Sequence, residues 1–154
     1  MVPITYLVGD ATSPVANGSI IAHCCNDIGG WGKGFVLSIS KKWPEPEEHY
    51  RSWFDRDAPK LGDVQFVTVN KSTVVANMIG QHGCGWYNGI PPIRYDALAK
   101  CLEKVAELAA KKKLSVHMPR IGCGLAGGTW NKVEAIILDK LSNLDISVYV
   151  YDLR

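Results

Sequence analysis

Two stretches of glycine carry the most specific chemistry in this sequence. Gly29-Gly30-Trp31-Gly32-Lys33-Gly34 comes after a β-prone run ending near Cys25 and before a helical pattern beginning near Phe35. Gly122-Cys123-Gly124-Leu125-Ala126-Gly127-Gly128 stands in the same relation to a short strand ending at Met118 and a helix beginning near Trp130. Glycine at such places permits positive φ and close backbone approach, so successive N–H groups can point at one anion while the positive helix end adds to the field. Each loop is a phosphate cradle in form. In an α/β sheet both lie outside the carboxyl ends of strands, where ligands of that fold class bind, and together they could clasp a diphosphate from two sides. No G-x-x-x-x-G-K-[ST] is present, and neither P-loop triphosphate hydrolysis nor Rossmann-type NAD redox chemistry is expected.

Few side chains near these loops can move a proton. His23 lies inside a strand pattern and reads as a hydrogen-bonded core residue; His82, opening the loop Gln81 to Pro92, is the better acid or base. Cys123 sits among backbone donors expected to depress its pKa, but no partner base accompanies it and a nucleophilic role is not assigned. Trp86 and Tyr87 could stack on a ligand or cover the sheet edge. The spacing of Cys24, Cys25, Cys84, Cys101 and Cys123 contains no C-x-x-C pair, so reduced thiols and no metal site are expected.

The elements that must position these loops follow from periodicity. Ile4 to Val8, Ser19 to Cys25, Val64 to Val69, Val74 to Ile79, Leu114 to Met118 and Ile146 to Tyr151 are strand-like, the third and fourth joined at Asn70-Lys71. Phe35 to Trp43, Glu47 to Phe54, Ile93 to Lys112 and a stretch capped by Thr129 are helical, the last burying Val133, Ile136, Ile137 and Leu141. Strands alternating with amphipathic helices predict a three-layer α/β/α sandwich with a mixed central sheet. At 154 residues, 47% hydrophobic, the chain suits a single domain over 1–154. With 17 Lys+Arg against 15 Asp+Glu it lacks the basic excess of nucleic-acid binders. No signal segment or bilayer-length apolar run is evident, so a cytoplasmic location without membrane contact is expected.

The order Gly9-Asp10, then Ala22-His23-Cys24-Cys25-Asn26 with Gly32-Lys33-Gly34, then Met118-Pro119-Arg120-Ile121-Gly122-Cys123-Gly124-Leu125, then Val150-Tyr151-Asp152-Leu153 resembles the macrodomain superfamily over essentially the whole chain. The third and fourth segments resemble the branch containing the terminal ADP-ribose protein glycohydrolase, which releases ADP-ribose esterified to glutamate. Trp31 to Tyr50 is similar to fungal ADP-ribose 1″-phosphate phosphatases. By that resemblance Asp10 and the Ala11 N–H would hold the adenine and Leu153 would pack on its face. Asn26 would bond the distal ribose, and Gly32, Lys33 and Gly34 would line that ribose and the diphosphate. Gly122, Cys123, Gly124, Leu125 and Ala126 would wrap the diphosphate from the other side. The glycohydrolase's attacking lysine and its aspartate are missing: Gln81 and Ala126 stand nearest those positions, so covalent lysine catalysis does not transfer. The resemblance implies a water-dependent hydrolase acting on ADP-ribosylated proteins, with Asn26 and Gln81 orienting water or ribose. A non-catalytic ADP-ribose reader and a phosphatase or deacetylase of ADP-ribose derivatives are the alternatives. No cofactor is implied, the partners are ADP-ribose and ADP-ribosylated proteins, and the chain is expected to be a monomer.

Overall fold

In the computed structural model, which describes residues 1–153, the β-branched runs pair as one sheet of six strands among those residues. These are β1 (Thr5–Val8), β2 (Ser19–Asn26), β3 (Val64–Asn70), β4 (Thr73–Gln81), β5 (Ser115–Met118) and β6 (Val148–Asp152), in the order β1-β6-β5-β2-β4-β3. All neighbours are parallel except β3 and β4, whose connection at Asn70 to Thr73 is too short for a crossover and leaves them antiparallel.

Strand β2 at the centre is buried on both faces, as parallel strands between two helical layers are. Its alternation divides the core. Ile20 and Ala22 join Ala76, Met78, Leu98, Leu102 and Ile137 beneath α3 (Tyr95–Lys112) and α4 (Trp130–Lys140). Ile21 and Cys25 join Val75, Ile79, Ile39 and Tyr50 beneath α1 (Phe35–Lys42) and α2 (Glu45–Arg56). The three-layer mixed architecture read from the sequence is the one observed.

Details differ at element ends. Thr129 occupies the N-cap position of α4 but its side chain makes no capping bond. The helix read from Ile93 begins at Tyr95, because Ile93 pairs with Gln81 in an isolated bridge and Arg94 is extended. A 3-10 turn at Ser142–Leu144 precedes β6, which starts at Val148 rather than Ile146. No helix of the described residues is long and apolar enough to cross a membrane.

Candidate functional site

Adjacent strands β2 and β5 run parallel, so the loops leaving their carboxyl ends stand side by side. The first, residues 27–34, is held from beneath. Asn26 Oδ1 accepts from the N–H groups of Ile28 (3.1 Å) and Gly30 (2.9 Å), and its Nδ2 donates to Gly30 O (2.9 Å). The Tyr50 hydroxyl, fully buried on α2, donates to Asn26 O at 2.7 Å and lies 3.0 Å from Oδ1. Trp31 is buried as well, its indole N–H donating to Ser40 Oγ at 2.7 Å and its ring set edge-on against His23. Among the described residues no protein acceptor meets the N–H groups of Gly32, Lys33 and Gly34.

The second loop, residues 119–129, folds back on itself. Gly128 N–H donates to Gly122 O (2.7 Å) and Gly127 N–H to Gly124 O (3.1 Å). A Cβ on Gly128 would stand 2.4 Å from Gly122 O, and Gly122 itself has φ +72° with Ile93 where its Cβ would be. Only glycine fits either position. The turn leaves the N–H groups of Gly122, Gly124, Leu125 and Ala126 without a protein acceptor among the described residues. Gly122 to Gly127 has the spacing G-x-G-x-x-G of a dinucleotide fingerprint, although the sequence reading expects no Rossmann-type redox chemistry. In a Rossmann unit the last glycine lets the helix pack on its strand. Here Gly127 has φ +75° and lies in the loop, and α4 starts at Trp130.

Between the loops lies a cleft of about 600 Å³, within the range of small-molecule sites. Asn26, Gly32, Lys33, Gly34, Gln81, Gly122, Gly124, Leu125 and Ala126 line it; Asp10, Ala11, Cys123 and Leu153 do not. Asp10 and Leu153 sit at the carboxyl ends of β1 and β6, farther along the same sheet end, linked through the bond from Gly9 N–H to Asp152 O (2.9 Å). Asp10 Oδ1 accepts from the backbone and hydroxyl of Thr12 (2.8 and 2.7 Å), a turn that leaves Oδ2 open. Ala11 is buried and Leu153 is 80% exposed, so Leu153 is not core packing.

Asn26 has spent its carbonyl on the loop, which leaves one Nδ2 hydrogen for anything in the cleft. Gln81 donates to Gly83 O at 2.9 Å and keeps its Oε1 free of protein donors among the described residues. A register shift between Cys25 and Asn26 pairs Asn26 with Gln81 and skips Gly80, bringing the two amides together at the end of β2 and β4.

Burial raises the Cys123 thiol, and the nearby Arg120 only partly offsets it, so the expected depression does not occur. His23 is 1% exposed and bonded through Nε2 to Asn77 Oδ1; desolvation takes its pKa down to about 4 despite that bond. It is the core residue the strand pattern suggested. Trp86 leans over Gly127 beside Pro91 and remains 61% exposed, while Tyr87 on the following turn is 77% exposed.

Two groups escaped the sequence reading. Arg120 lines the cleft, its guanidinium 5.2 Å from the Tyr6 ring and 5.0 Å from the Trp130 ring, and it binds both oxygens of Asp152 (2.6 and 2.9 Å). Asp27, at the start of the first loop, meets His82 Nδ1 at 2.7 Å and accepts from Gly83 N–H at 2.8 Å. Burial pushes the Asp27 carboxyl up, but the bonds from Gly83 and His82 outweigh it and hold the pKa below the ordinary value. Fifty-five positions separate Asp27 from His82, and only the β2–β4 pairing joins them.

Comparison with known proteins agrees with this geometry. Residues 22–137 match the Macro domain family. Chromodomain-helicase-DNA-binding protein 1-like of Mus musculus is 32% identical over 96% of this chain, which spans only 17% of that protein's length. ADP-ribose 1″-phosphate phosphatase of Lodderomyces elongisporus is 28% identical, with 97% of this chain and 99% of that one covered. The structure of a macrodomain protein from Streptomyces coelicolor superposes with a TM-score of 0.85 at 53% identity, covering 97% of this chain and 99% of the other. The chain therefore belongs to the Macro domain family.

Proposed function

We propose that this chain binds ADP-ribose and hydrolyses the bond at C1″ of the distal ribose, releasing ADP-ribose from mono-ADP-ribosylated glutamate or aspartate side chains of proteins. The single observation that carries the reading is that the backbone N–H groups of Gly32 to Gly34, Gly122 and Gly124 to Ala126 have no protein acceptor among the described residues, and that these residues of both loops line one cleft. An array of fixed donors suits a diphosphate and costs no reorganisation when charge develops nearby. Leu153 follows β6, one strand beyond the second loop, and Asp10 and Ala11 follow β1, two strands beyond it, within reach of the adenine of an elongated ligand whose diphosphate lies between the loops. Ala126 cannot take a proton and Gln81 cannot form a covalent adduct, so water is the nucleophile. An acylated C1″ is labile enough that fixed geometry supplies much of the rate.

A second reading has support of its own. The fungal relative covered almost end to end is named for ADP-ribose 1″-phosphate, whose leaving group occupies the same C1″ position. The test is one assay with two substrates: a protein mono-ADP-ribosylated on glutamate, and ADP-ribose 1″-phosphate. Release of ADP-ribose from the first supports the hydrolase, and release of phosphate from the second alone favours the phosphatase. Tight ADP-ribose binding with no product from either would make the chain a reader.

A further inference from the structure

We propose that Asp27 and His82 form the base of the hydrolysis, with Nε2 of His82 taking the proton of the attacking water. This rests on the hydrolase reading above. The strand order β1-β6-β5-β2-β4 sets the strand ends in a row. A ligand with its adenine by Asp10 and its diphosphate between the two glycine loops has its distal ribose at β2 and β4. There Asn26 and Gln81 are register partners at the strand ends, and the first residues beyond them are Asp27 and His82.

The pair has the geometry of an oriented imidazole. Asp27 is fixed through both oxygens, Oδ1 by Gly83 N–H (2.8 Å) and Oδ2 by His82 Nδ1 (2.7 Å), and its side chain is only 15% exposed. A carboxylate there selects the tautomer with hydrogen on Nδ1, which leaves the Nε2 lone pair available. Nε2 has no protein partner among the described residues, and the side chain is 63% exposed. Gln81 before it and Cys84 two residues after it line the cleft; His82 and Asp27 lie just outside that lining. The buried Tyr50 hydroxyl lies within electrostatic reach of Asp27 and of the Cys84 thiol. The nearby Arg94 turns its guanidinium to the carbonyls of Pro91, Pro92 and Ile93.

In the step, the water oxygen bonds to C1″ as its proton passes to Nε2. The bond from C1″ to the acyl oxygen breaks, and its electron pair leaves with the glutamate carboxylate, which needs no proton at neutral pH. The imidazolium, held by Asp27, then returns its proton to solvent. Gln81 Oε1 is free to accept the water's second hydrogen.

The test compares wild type, His82→Gln, His82→Ala and Asp27→Asn on glutamate-modified protein. Glutamine can still donate to Asp27 but cannot take the proton, so a purely structural tie would survive it. For His82→Gln the expectation is a kcat lower by about a hundredfold, unchanged Kd for ADP-ribose, and loss of the acid limb of the pH–rate profile. Added imidazole partly restores His82→Ala, and Asp27→Asn lowers kcat with a smaller effect on KM. His82→Gln with wild-type kcat and pH profile overturns the assignment while the hydrolase stands. A wild-type chain that releases no ADP-ribose overturns the hydrolase reading and this assignment together.

Discussion

Replacing one glycine of the second loop by alanine gives opposite outcomes depending on which glycine is chosen. In Gly128→Ala the new methyl stands 2.4 Å from Gly122 O and 2.8 Å from Ile93 Cδ1. Ordinary contact requires roughly 1 Å more, and the oxygen that must move also accepts the 2.7 Å bond from Gly128 N–H. Overpacking of this kind and a weakened hydrogen bond together cost about 2–4 kcal/mol, or roughly 5–15 °C in Tm for a domain of this size. In Gly124→Ala the methyl meets nothing within 4 Å. Its Tm stays near wild type, but the methyl stands on the wall of the cleft and should weaken ADP-ribose binding about tenfold. Thermal unfolding with calorimetric titration of both variants separates the effects. A Gly128→Ala protein as stable as wild type would refute the argument that the turn admits only glycine, and undiminished affinity in Gly124→Ala would refute the placement of the ligand.

Three further outcomes are expected. Tyr50→Phe removes the hydroxyl that fills the Asn26 carbonyl from below; it should cost about 1–3 kcal/mol in urea unfolding and weaken ADP-ribose binding, whereas unchanged values for both would detach Asn26 from the loop's support. His23 is held neutral in the fold at a pKa of about 4, against 6.5 when unfolded, so the unfolded chain binds the extra proton and stability is lost as pH falls from 6.5 towards 4. Between pH 7 and pH 5 the loss from His23 is roughly 2 kcal/mol, His117 adding in the same direction, and equal urea midpoints at the two pH values would contradict it. Cys123→Ser should hydrolyse the modified protein as fast as wild type, because burial keeps the thiol protonated; a large drop in kcat would restore a nucleophilic role.

The layers of the fold were readable because the helices carry their buried stripes at clear spacing, as Leu98, Cys101, Leu102 and Val105 do on α3. β-branched runs marked each strand to within two residues. The two loops were legible for a related reason: a single glycine turn often only connects a strand to a helix, but two such clusters stand in the same relation to a strand and a helix in this chain. What lay beyond reach was whatever the sheet assembles across long separations. Tyr50 read as part of a polar helix, yet its hydroxyl underpins a loop 24 positions away. Asp27 carried no reading in the sequence, because only β4 delivers His82 beside it. Arg120 stood in plain view within a recognisable motif, but its place between Tyr6 and Trp130 depends on β1 and α4 meeting at one corner. Asn26 shows the converse: the family resemblance implied a ligand contact, and the local turn took most of its bonding capacity.

The proposed convergence of two rows of free amides on one pyrophosphate is tested most directly by titrating isotopically labelled protein with ADP-ribose and following the amide resonances of residues 32–34, 122 and 124–126. The account requires both sets to shift together and saturate with one Kd, while the amides of Gly127 and Gly128, already bonded within the turn, move less. Movement of only one set, or of neither at millimolar ligand, would contradict it.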